Sequence, residues 1–190
     1  IVFSGAGNMF IGGDFSVAGN GTLTPSTGTV TFDGANQTIA NNSLASISYY
    51  NLTLAGSGTK NIAGAPINNI LSMEGTASTT GTAPTYGAAA TIQYKGSAAQ
   101  TTGTEFSSPF AGTGGIIIAN TSGSAVTLAG AKELSGGPLT INTSAILNTN
   151  NYALSLSGNF VNTGTFNAGS SNFTMQGAAA SQSIAGFTTT

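Results

Sequence analysis

The chain has 190 residues, and only 4% of them are charged, where an ordinary soluble domain has about 25%. Three lysines, no arginine and five acidic residues give a net charge of −2, which excludes a basic surface for nucleic acid or anionic membranes. Cysteine and histidine are absent, which excludes disulfides, thiolate or imidazole metal sites, and Ser-His-Asp or Cys-His catalysis.

The composition nevertheless predicts a folded chain. Hydrophobic residues make up 39% of the sequence and fall in short regular runs, unlike those of disordered chains. The longest apolar run, at residues 116–118, is far shorter than the roughly 20 residues that span a bilayer, so we expect no membrane insertion. The sequence begins at Ile1 rather than Met, so we expect a processed chain or a fragment. The charge-poor, Thr-, Asn- and Gly-rich composition favours an extracellular or cell-surface location.

The first part of the chain is predicted to form short strands separated by glycines. Apolar pieces alternate with glycine through residues 1–15. In residues 28–34, Val30 and Phe32 share one face and threonines occupy the other, which indicates a strand with one buried face. Gly28 and Gly34 are expected to form turns at its ends.

The pattern continues beyond a polar loop expected at residues 41–48. Residues 49–55 are predicted to form a strand with Tyr50, Leu52 and Leu54 facing the core. Residues 75–90, rich in Gly, Thr and Ala, are expected to form a long irregular loop. Residues 114–119 are predicted to form an apolar strand, buried on both sides if it pairs in parallel. Further short strands are expected at 60–64, 69–73, 91–96, 125–130, 138–142, 145–148, 152–158, 159–161, 164–166, 172–177 and 182–186.

Internal repeats are the strongest signal in the sequence. A strand that ends in glycine and is followed by glutamine occurs three times, at residues 30–37, 92–100 and 173–182. Around it, residues 13–15 match 158–160, residues 21–23 match 164–166, and residues 37–40 match 182–185. Recurring units of this kind indicate a stacked array in which each unit packs against the next.

Two all-β architectures fit these observations. The first is a parallel β-solenoid, or β-helix, of irregular repeats that forms a single domain over residues 1–190. The second is an antiparallel β-sandwich, which also consists of many short strands. Sequence repeats, Asn- and Thr-rich turns and the scarcity of charge favour the solenoid, whereas the irregular spacing of the repeats favours the sandwich.

The repeats at residues 28–54 and 147–160 resemble those of large bacterial cell-surface proteins of the adhesin type. The resemblance covers most of the chain and is weakest at residues 75–90. It implies a secreted, non-catalytic β-repeat protein that acts in adhesion or as a fibre. It implies no functional residues.

No catalytic, cofactor-binding or metal-binding residue is predicted. The acidic residues are scattered, and Asp14 and Asp33 are replaced by Asn159 and Gln176 in the last repeat, so a carboxylate pair for glycoside hydrolysis is not indicated. No Asp-rich calcium loop is present. We therefore expect a structural protein rather than an enzyme; a β-helical lyase is the weakest alternative.

The expected partners are further copies or neighbouring repeats of the same protein, which pair through exposed end strands, together with surface glycans. The contact is predicted to involve residues 1–15 or the C-terminal stretch. The main alternative is a binding module with a Thr-rich flat face or a groove for ice or polysaccharide, and its candidate threonines are Thr22, Thr24, Thr29 and Thr31.

Two other residue sets have competing interpretations. Asn-x-Ser/Thr sequences, which would be glycosylated in a glycosylating host, begin at Asn20, Asn36, Asn41, Asn51, Asn120, Asn142 and Asn172, and chance alone produces many of them in this composition. Aromatic residues that are expected to pack in the core rather than form a sugar-binding platform are Phe32, Tyr50, Tyr94, Phe160, Phe166 and Phe173.

Overall fold

The structure is a computed structural model that describes residues 1–2, 5–39, 46–121, 123–177 and 182–185. The regular secondary structure in these ranges is entirely β-strand. In chain order the strands are β1 (Asn8–Ile11), β2 (Thr22–Leu23), β3 (Thr29–Phe32), β4 (Gln37–Thr38), β5 (Ser46–Ile47), β6 (Tyr49–Leu54), β7 (Thr59–Asn61), β8 (Pro66–Met73), β9 (Ser78–Thr80), β10 (Thr85–Tyr86), β11 (Thr91–Tyr94), β12 (Gln100–Thr101), β13 (Gly115–Ile118), β14 (Ala125–Thr127), β15 (Lys132–Leu134), β16 (Leu139–Ile141), β17 (Ile146–Asn148), β18 (Leu154–Leu156), β19 (Phe160–Asn162), β20 (Thr165–Asn167), β21 (Phe173–Met175) and β22 (Ile184–Ala185).

These strands coil into a parallel β-solenoid of about eight turns. One sheet, which we call the long sheet, runs the length of the solenoid in the order β1-β3-β6-β8-β11-β13-β16-β19-β22, with β10 also paired to β8. All strand pairs among the described residues are parallel, because each strand pairs with strands of the turns before and after it. The predicted solenoid is confirmed, and the antiparallel sandwich is wrong.

Shorter sheets form the other sides of the solenoid. Two of these sheets contain strands that come directly after a long-sheet strand in the chain: β4-β7-β9 and β12-β14-β17-β20. The other two contain strands that come directly before a long-sheet strand: β2-β5 and β15-β18-β21. The turns differ in length: Asn51 pairs with Ile70, 19 residues later, whereas Thr91 pairs with Gly115, 24 residues later. The corners, together with one register shift between β6 and β8, absorb these differences, which explains why the sequence repeats have no fixed period.

Columns of apolar side chains fill the interior. One column on the long sheet consists of Met9, Val30, Leu52, Leu71, Ile92, Ile116, Leu139 and Phe160, each stacked on its equivalent in the preceding turn. All of these except Met9, which lies at the open N-terminal end, are at most 1% exposed. Because burying one such side chain contributes about 1.5–3 kcal/mol, these columns are the main favourable term that holds the turns together.

The structure corrects the predicted core face of β6. Tyr49, not Tyr50, is fully buried together with Leu52 and Leu54. The pairing of β6 with β8 shifts in register between Tyr49 and Asn51, which breaks the period-two alternation at this point. The other predicted core aromatics differ in depth: Phe32, Tyr94 and Phe160 are fully buried, whereas Phe166 and Phe173 are partly buried against the core.

Two other stretches differ from expectation. Ile117 in β13 faces outward and is half-buried, so the apolar strand is not buried on both sides. Residues 75–90 contain β9 and β10 as well as turns, because Ser78–Thr80 pair with β7 in spite of their weak hydrophobic pattern. Most of the expected loop at 41–48 and the end of the chain at 186–190 lie outside the described residues.

The repeated Gly-and-Gln unit forms a hydrogen-bonded corner between two turns. The Gln37 amide donates to the carbonyls of Ile11 and Gly13 in the preceding turn at 2.7 Å, and its oxygen accepts from the Gly34 N–H at 2.9 Å. A Cβ at Gly34 would collide with the Gly12 carbonyl and crowd the Gln37 amide. Glycine is therefore required at this corner, where the backbone of the preceding turn leaves no room for a side chain.

The last copy of the unit repeats this corner on another face. Gln182 donates to the Leu156 and Gly158 carbonyls at 3.2 and 3.0 Å and accepts from the Gly177 N–H at 3.0 Å. However, the preceding strand here is β21, which pairs with β18, whereas the first copy follows β3 in the long sheet. The repeat therefore specifies a type of corner, not a fixed side of the solenoid.

Candidate functional sites

The outward face of the long sheet carries rows of polar side chains along the solenoid axis. The strand registers place Phe10, Thr31, Thr53, Ser72, Gln93, Ile117 and Thr140 in one row. The row is polar from Thr31 to Gln93 and has an apolar side chain on each side of that segment. Since strands in a sheet are about 4.8 Å apart, the polar segment is roughly 14 Å long.

A shallow cleft of about 210 Å³, which we call the sheet cleft, lies over this polar segment. Its lining residues are Thr29, Asn51, Thr53, Ile70, Ser72, Glu74, Gln93 and Lys95. Gln93 donates to the Ser72 hydroxyl at 3.2 Å, and Ser72 donates to the Glu74 carboxylate at 2.8 Å. Ser72 is only 4% exposed, so it forms the floor of the cleft.

Hydrogen bonds also fix one wall of the sheet cleft. The Asn51 amide donates to the Thr27 carbonyl at 3.3 Å, and its oxygen accepts from Asn69 at 2.8 Å. The Glu74 N–H donates to the Leu54 carbonyl, and the Lys95 N–H donates to the Met73 carbonyl. Glu74 and Lys95 therefore occupy equivalent positions in adjacent turns. Two of the eight charged side chains of the protein therefore lie in this one cleft, with opposite sign.

The four threonines proposed as a flat face are not brought together. Thr29 and Thr31 project from β3 in the long sheet, whereas Thr22 lies in β2, which pairs with β5. Thr24 pairs with Val2 in an isolated bridge near that second sheet. Only Thr29 contributes to the sheet cleft. The other residues that line the sheet cleft can be recognised from the sequence only once the register of the turns is known.

A second polar cluster lies inside the solenoid around the fully buried carboxylate of Glu105. This carboxylate accepts hydrogen bonds from the Tyr94 hydroxyl at 2.7 Å, from the Thr79 hydroxyl, and from the Gly103 N–H at 2.8 and 2.9 Å. The Tyr86 hydroxyl donates to the Glu105 backbone carbonyl at 2.6 Å. The protein itself therefore supplies several hydrogen-bond donors to a carboxylate that is removed from water.

One lysine, Lys60, is fully buried, and a second, Lys132, is partly buried. The Lys60 ammonium is fully buried and donates to the Gly34 carbonyl, to the Ala35 carbonyl at 2.8 Å and to the Gln37 amide oxygen at 2.7 Å. Burial lowers the Lys60 pKa, and the nearby Asp33 opposes that shift. Lys132 donates to the Phe106 carbonyl at 2.6 Å and lies 4.8 Å from the Phe106 ring centre. Both lysines therefore act as internal cross-links between turns.

Three tyrosines, which we call the core tyrosines, have perturbed acidity: Tyr49, Tyr86 and Tyr94. Burial raises the pKa of each phenol above its usual range. For Tyr86 and Tyr94 the negative charge of Glu105 raises the pKa further. All three phenols therefore remain neutral at neutral pH, and those of Tyr86 and Tyr94 serve as hydrogen-bond donors to Glu105.

The acidic side chains have separate surroundings. Asp14 accepts from the Thr38 N–H at 2.7 Å, as Asn159 does from Ser183 at 3.0 Å in the last repeat, so this position forms a corner in both copies. Within the described ranges no three His, Cys, Asp or Glu side chains are grouped so that they could hold a metal ion. The same ranges contain no helix long and apolar enough to cross a membrane. That the protein has no catalytic, cofactor or metal site stays a prediction.

The N-terminal end of the long sheet is formed by β1. In the part of the chain that the structure describes, β1 pairs with β3 on one side and with no strand on the other. Met9 and Ile11, which point inward, are only half-buried, and the outward-facing Phe10 is 68% exposed. The Gly7 carbonyl accepts from the Thr29 N–H, and the Ile11 carbonyl accepts from the Asp33 N–H. Because peptide groups alternate in direction along a strand, those of Asn8 and Phe10 face the open edge.

The predicted glycosylation sequences differ in accessibility. Asn20, Asn36, Asn142 and Asn172 are exposed, Asn51 is half-buried, and Asn41 lies outside the described residues. Asn120 is 1% exposed, and its amide donates to Gln100 and to the Ala98 carbonyl, both at 3.1 Å. Asn120 therefore cannot accept a glycan in the folded protein.

No protein-family model, curated protein or solved structure matches this chain.

Proposed function

We propose that this chain is a non-catalytic structural segment of an extracellular adhesin or polymeric fibre. The observation that carries the proposal is the edge of β1, where Met9 and Ile11 belong to interior columns that no other described strand covers. An unpaired parallel edge with apolar interior side chains is a template for another turn of the same kind. The occupant that fits it is a neighbouring repeat or a second copy of this chain.

The mechanical role follows from the fold. Hydrogen bonds between turns run along the solenoid axis, and the interior columns resist separation of the turns. A low charge density gives little repulsion between neighbouring molecules, which favours lateral and end-to-end association. These properties suit a stiff rod on the cell surface.

The proposal has no role for nucleic acid, a cofactor or membrane insertion. The buried charges support a structural rather than a catalytic reading: Glu105 is surrounded by donors from the protein itself, and Lys60 by carbonyl oxygens. The alternative function, a binding module, is favoured by one specific feature, the sheet cleft.

The proposed pairing at β1 can be tested by substituting Phe10. A Phe10→Pro protein lacks the N–H that faces the open edge, while the hydrogen bonds of β1 to β3 involve the neighbouring residues. The matched control, Phe10→Ser, removes the same exposed ring but keeps the N–H. Light scattering after size-exclusion chromatography and negative-stain microscopy over a range of concentrations would report assembly.

We expect the parent protein to form end-to-end oligomers, Phe10→Ser to form them more weakly, and Phe10→Pro to remain monomeric. The circular dichroism spectrum of each variant should match that of the parent. A parent protein that stays monomeric at high concentration, or a Phe10→Pro protein that assembles as well as Phe10→Ser, would contradict pairing at this edge.

A further inference from the structure

We propose that the sheet cleft binds a neutral, hydroxyl-rich saccharide chain lying along the solenoid axis. This inference deepens the adhesive part of the proposed function, on which it rests, by assigning it a ligand class and a surface. It concerns the side of the rod, whereas assembly concerns the end, so the two can be tested independently.

The chemical groups of the cleft match those of a sugar. A sugar hydroxyl both donates and accepts hydrogen bonds, and the cleft presents amides at Asn51 and Gln93, a carboxylate at Glu74 and an ammonium at Lys95. The chain of hydrogen bonds from Gln93 through Ser72 to Glu74 fixes these side chains in advance. A preorganised site of this kind loses less side-chain entropy when a ligand binds.

The charge of the cleft argues for a neutral ligand. Glu74 and Lys95 carry opposite charges on adjacent turns, so their fields largely cancel at a distance. A phosphate-rich or polyanionic chain would meet one lysine, no arginine and a carboxylate. A neutral polyol can bond both charged groups, and hydrogen bonds to charged groups are the stronger ones.

The shape of the polar segment argues for an elongated ligand. It extends for roughly 14 Å along the axis and ends where Phe10 on one side and Ile117 on the other replace the polar side chains. A strand of a few sugar units would follow this row across several turns. Ice is a poorer fit, because the outward positions differ from turn to turn and include a charged pair rather than a uniform threonine lattice.

The test is affinity electrophoresis through gels containing dextran, hydroxyethyl cellulose or galactomannan as neutral probes and alginate as an acidic probe. Titration calorimetry with cellohexaose or mannohexaose would quantify any binding that the matching gel reveals. Each measurement is made on the parent and on Phe10→Pro, so that assembly at the β1 edge does not add avidity. The variants are Gln93→Ala and Glu74→Ala. The control is Thr140→Ala, which lies in the same outward row beyond the cleft.

We expect at least one neutral probe to retard the protein, with about tenfold weaker binding for Gln93→Ala and Glu74→Ala and no change for Thr140→Ala. The inference is overturned if no neutral probe binds, if only alginate binds, or if the two cleft variants bind as well as the parent. Thermal hysteresis without saccharide binding would also overturn it and assign the face to ice. Binding by a monomeric parent would support the cleft while refuting assembly through β1.

Discussion

The hydrogen bond between Tyr94 and Glu105 allows a sharp test of the buried cluster. In the parent protein, Tyr94→Phe removes one charge-assisted bond of 2.7 Å, and such bonds contribute about 1.5–3 kcal/mol. The carboxylate keeps its bonds from Thr79 and Gly103, so nothing else is left unpaired. We therefore expect Tyr94→Phe to lower the free energy of unfolding by about 2 kcal/mol.

The same substitution should have the opposite sign when Glu105 is absent. Glu105→Ala leaves the buried hydroxyls of Tyr94 and Thr79 and the partly buried Gly103 N–H without this acceptor, at about 1–3 kcal/mol for each buried group, so this variant should lose about 4 kcal/mol. Adding Tyr94→Phe to the Glu105→Ala variant removes a buried hydroxyl that has lost its acceptor, so the free energy of unfolding should rise by about 1 kcal/mol or more. The coupling free energy between the two residues is then about 3 kcal/mol.

The assay is urea unfolding followed by far-ultraviolet circular dichroism for the parent, both single variants and the double variant. Tyr152→Phe is the control, because Tyr152 is 40% exposed and its loss should change stability by less than about 0.5 kcal/mol. If Tyr94→Phe costs the same with and without Glu105, the two side chains are not coupled and the assigned role of the cluster is wrong.

Three further predictions concern the core, the corners and alkaline pH. Ile116→Ala should cost about 2–5 kcal/mol because Ile116 is fully buried, whereas Ile117→Ala, one residue later on the outward face, should cost less than about 1 kcal/mol in the same urea assay. Gly34→Ala should lower the free energy of unfolding by about 1–3 kcal/mol, because its Cβ would collide with the preceding turn. Gly13→Ala is the control and should be nearly neutral, because a Cβ at Gly13 meets no atom within 4 Å. Equal effects of the two substitutions in thermal melts would contradict the corner geometry. Above about pH 11.5, one unit above the ordinary lysine pKa, Lys60 and Lys132 are largely deprotonated in both the folded and the unfolded state, so their lowered pKa values no longer affect stability. Only the unfolded chain then readily ionises the core tyrosines, so stability should fall by up to about 4 kcal/mol per pH unit, and by about a third less in Tyr94→Phe. A flat alkaline stability profile would contradict the burial of these phenols.

Local sequence pattern predicted the strands well where a strand has one buried face and a regular backbone. Residues 28–34 satisfy both conditions, and β3 buries Val30 and Phe32 as expected. The pattern failed at β6, where a register shift exchanges the roles of Tyr49 and Tyr50. It also missed β9, because pairing with β7, rather than intrinsic propensity, makes Ser78–Thr80 a strand.

The candidate sites were less accessible to sequence reasoning than the fold. Glu105 is 11 residues from Tyr94 and 26 from Thr79, and the sheet cleft combines residues from four turns. A turn varies from 19 to 24 residues, so a small error in one turn length misplaces every outward row that follows. The four candidate threonines are separated for another reason: a corner within a single turn, between Thr24 and Thr29, places them near two different sheets.

The sequence by itself determined that the protein is all-β, is built of stacked repeats, and contains no histidine or cysteine for catalysis or metal binding. These properties depend on composition and on alternation within a few residues, which act locally. Only the tertiary structure decided which side of the solenoid each repeat occupies, which charges are buried, and which polar side chains form the sheet cleft. These properties depend on contacts between turns, and the flexible corner lengths that set those contacts leave no regular signal in the sequence.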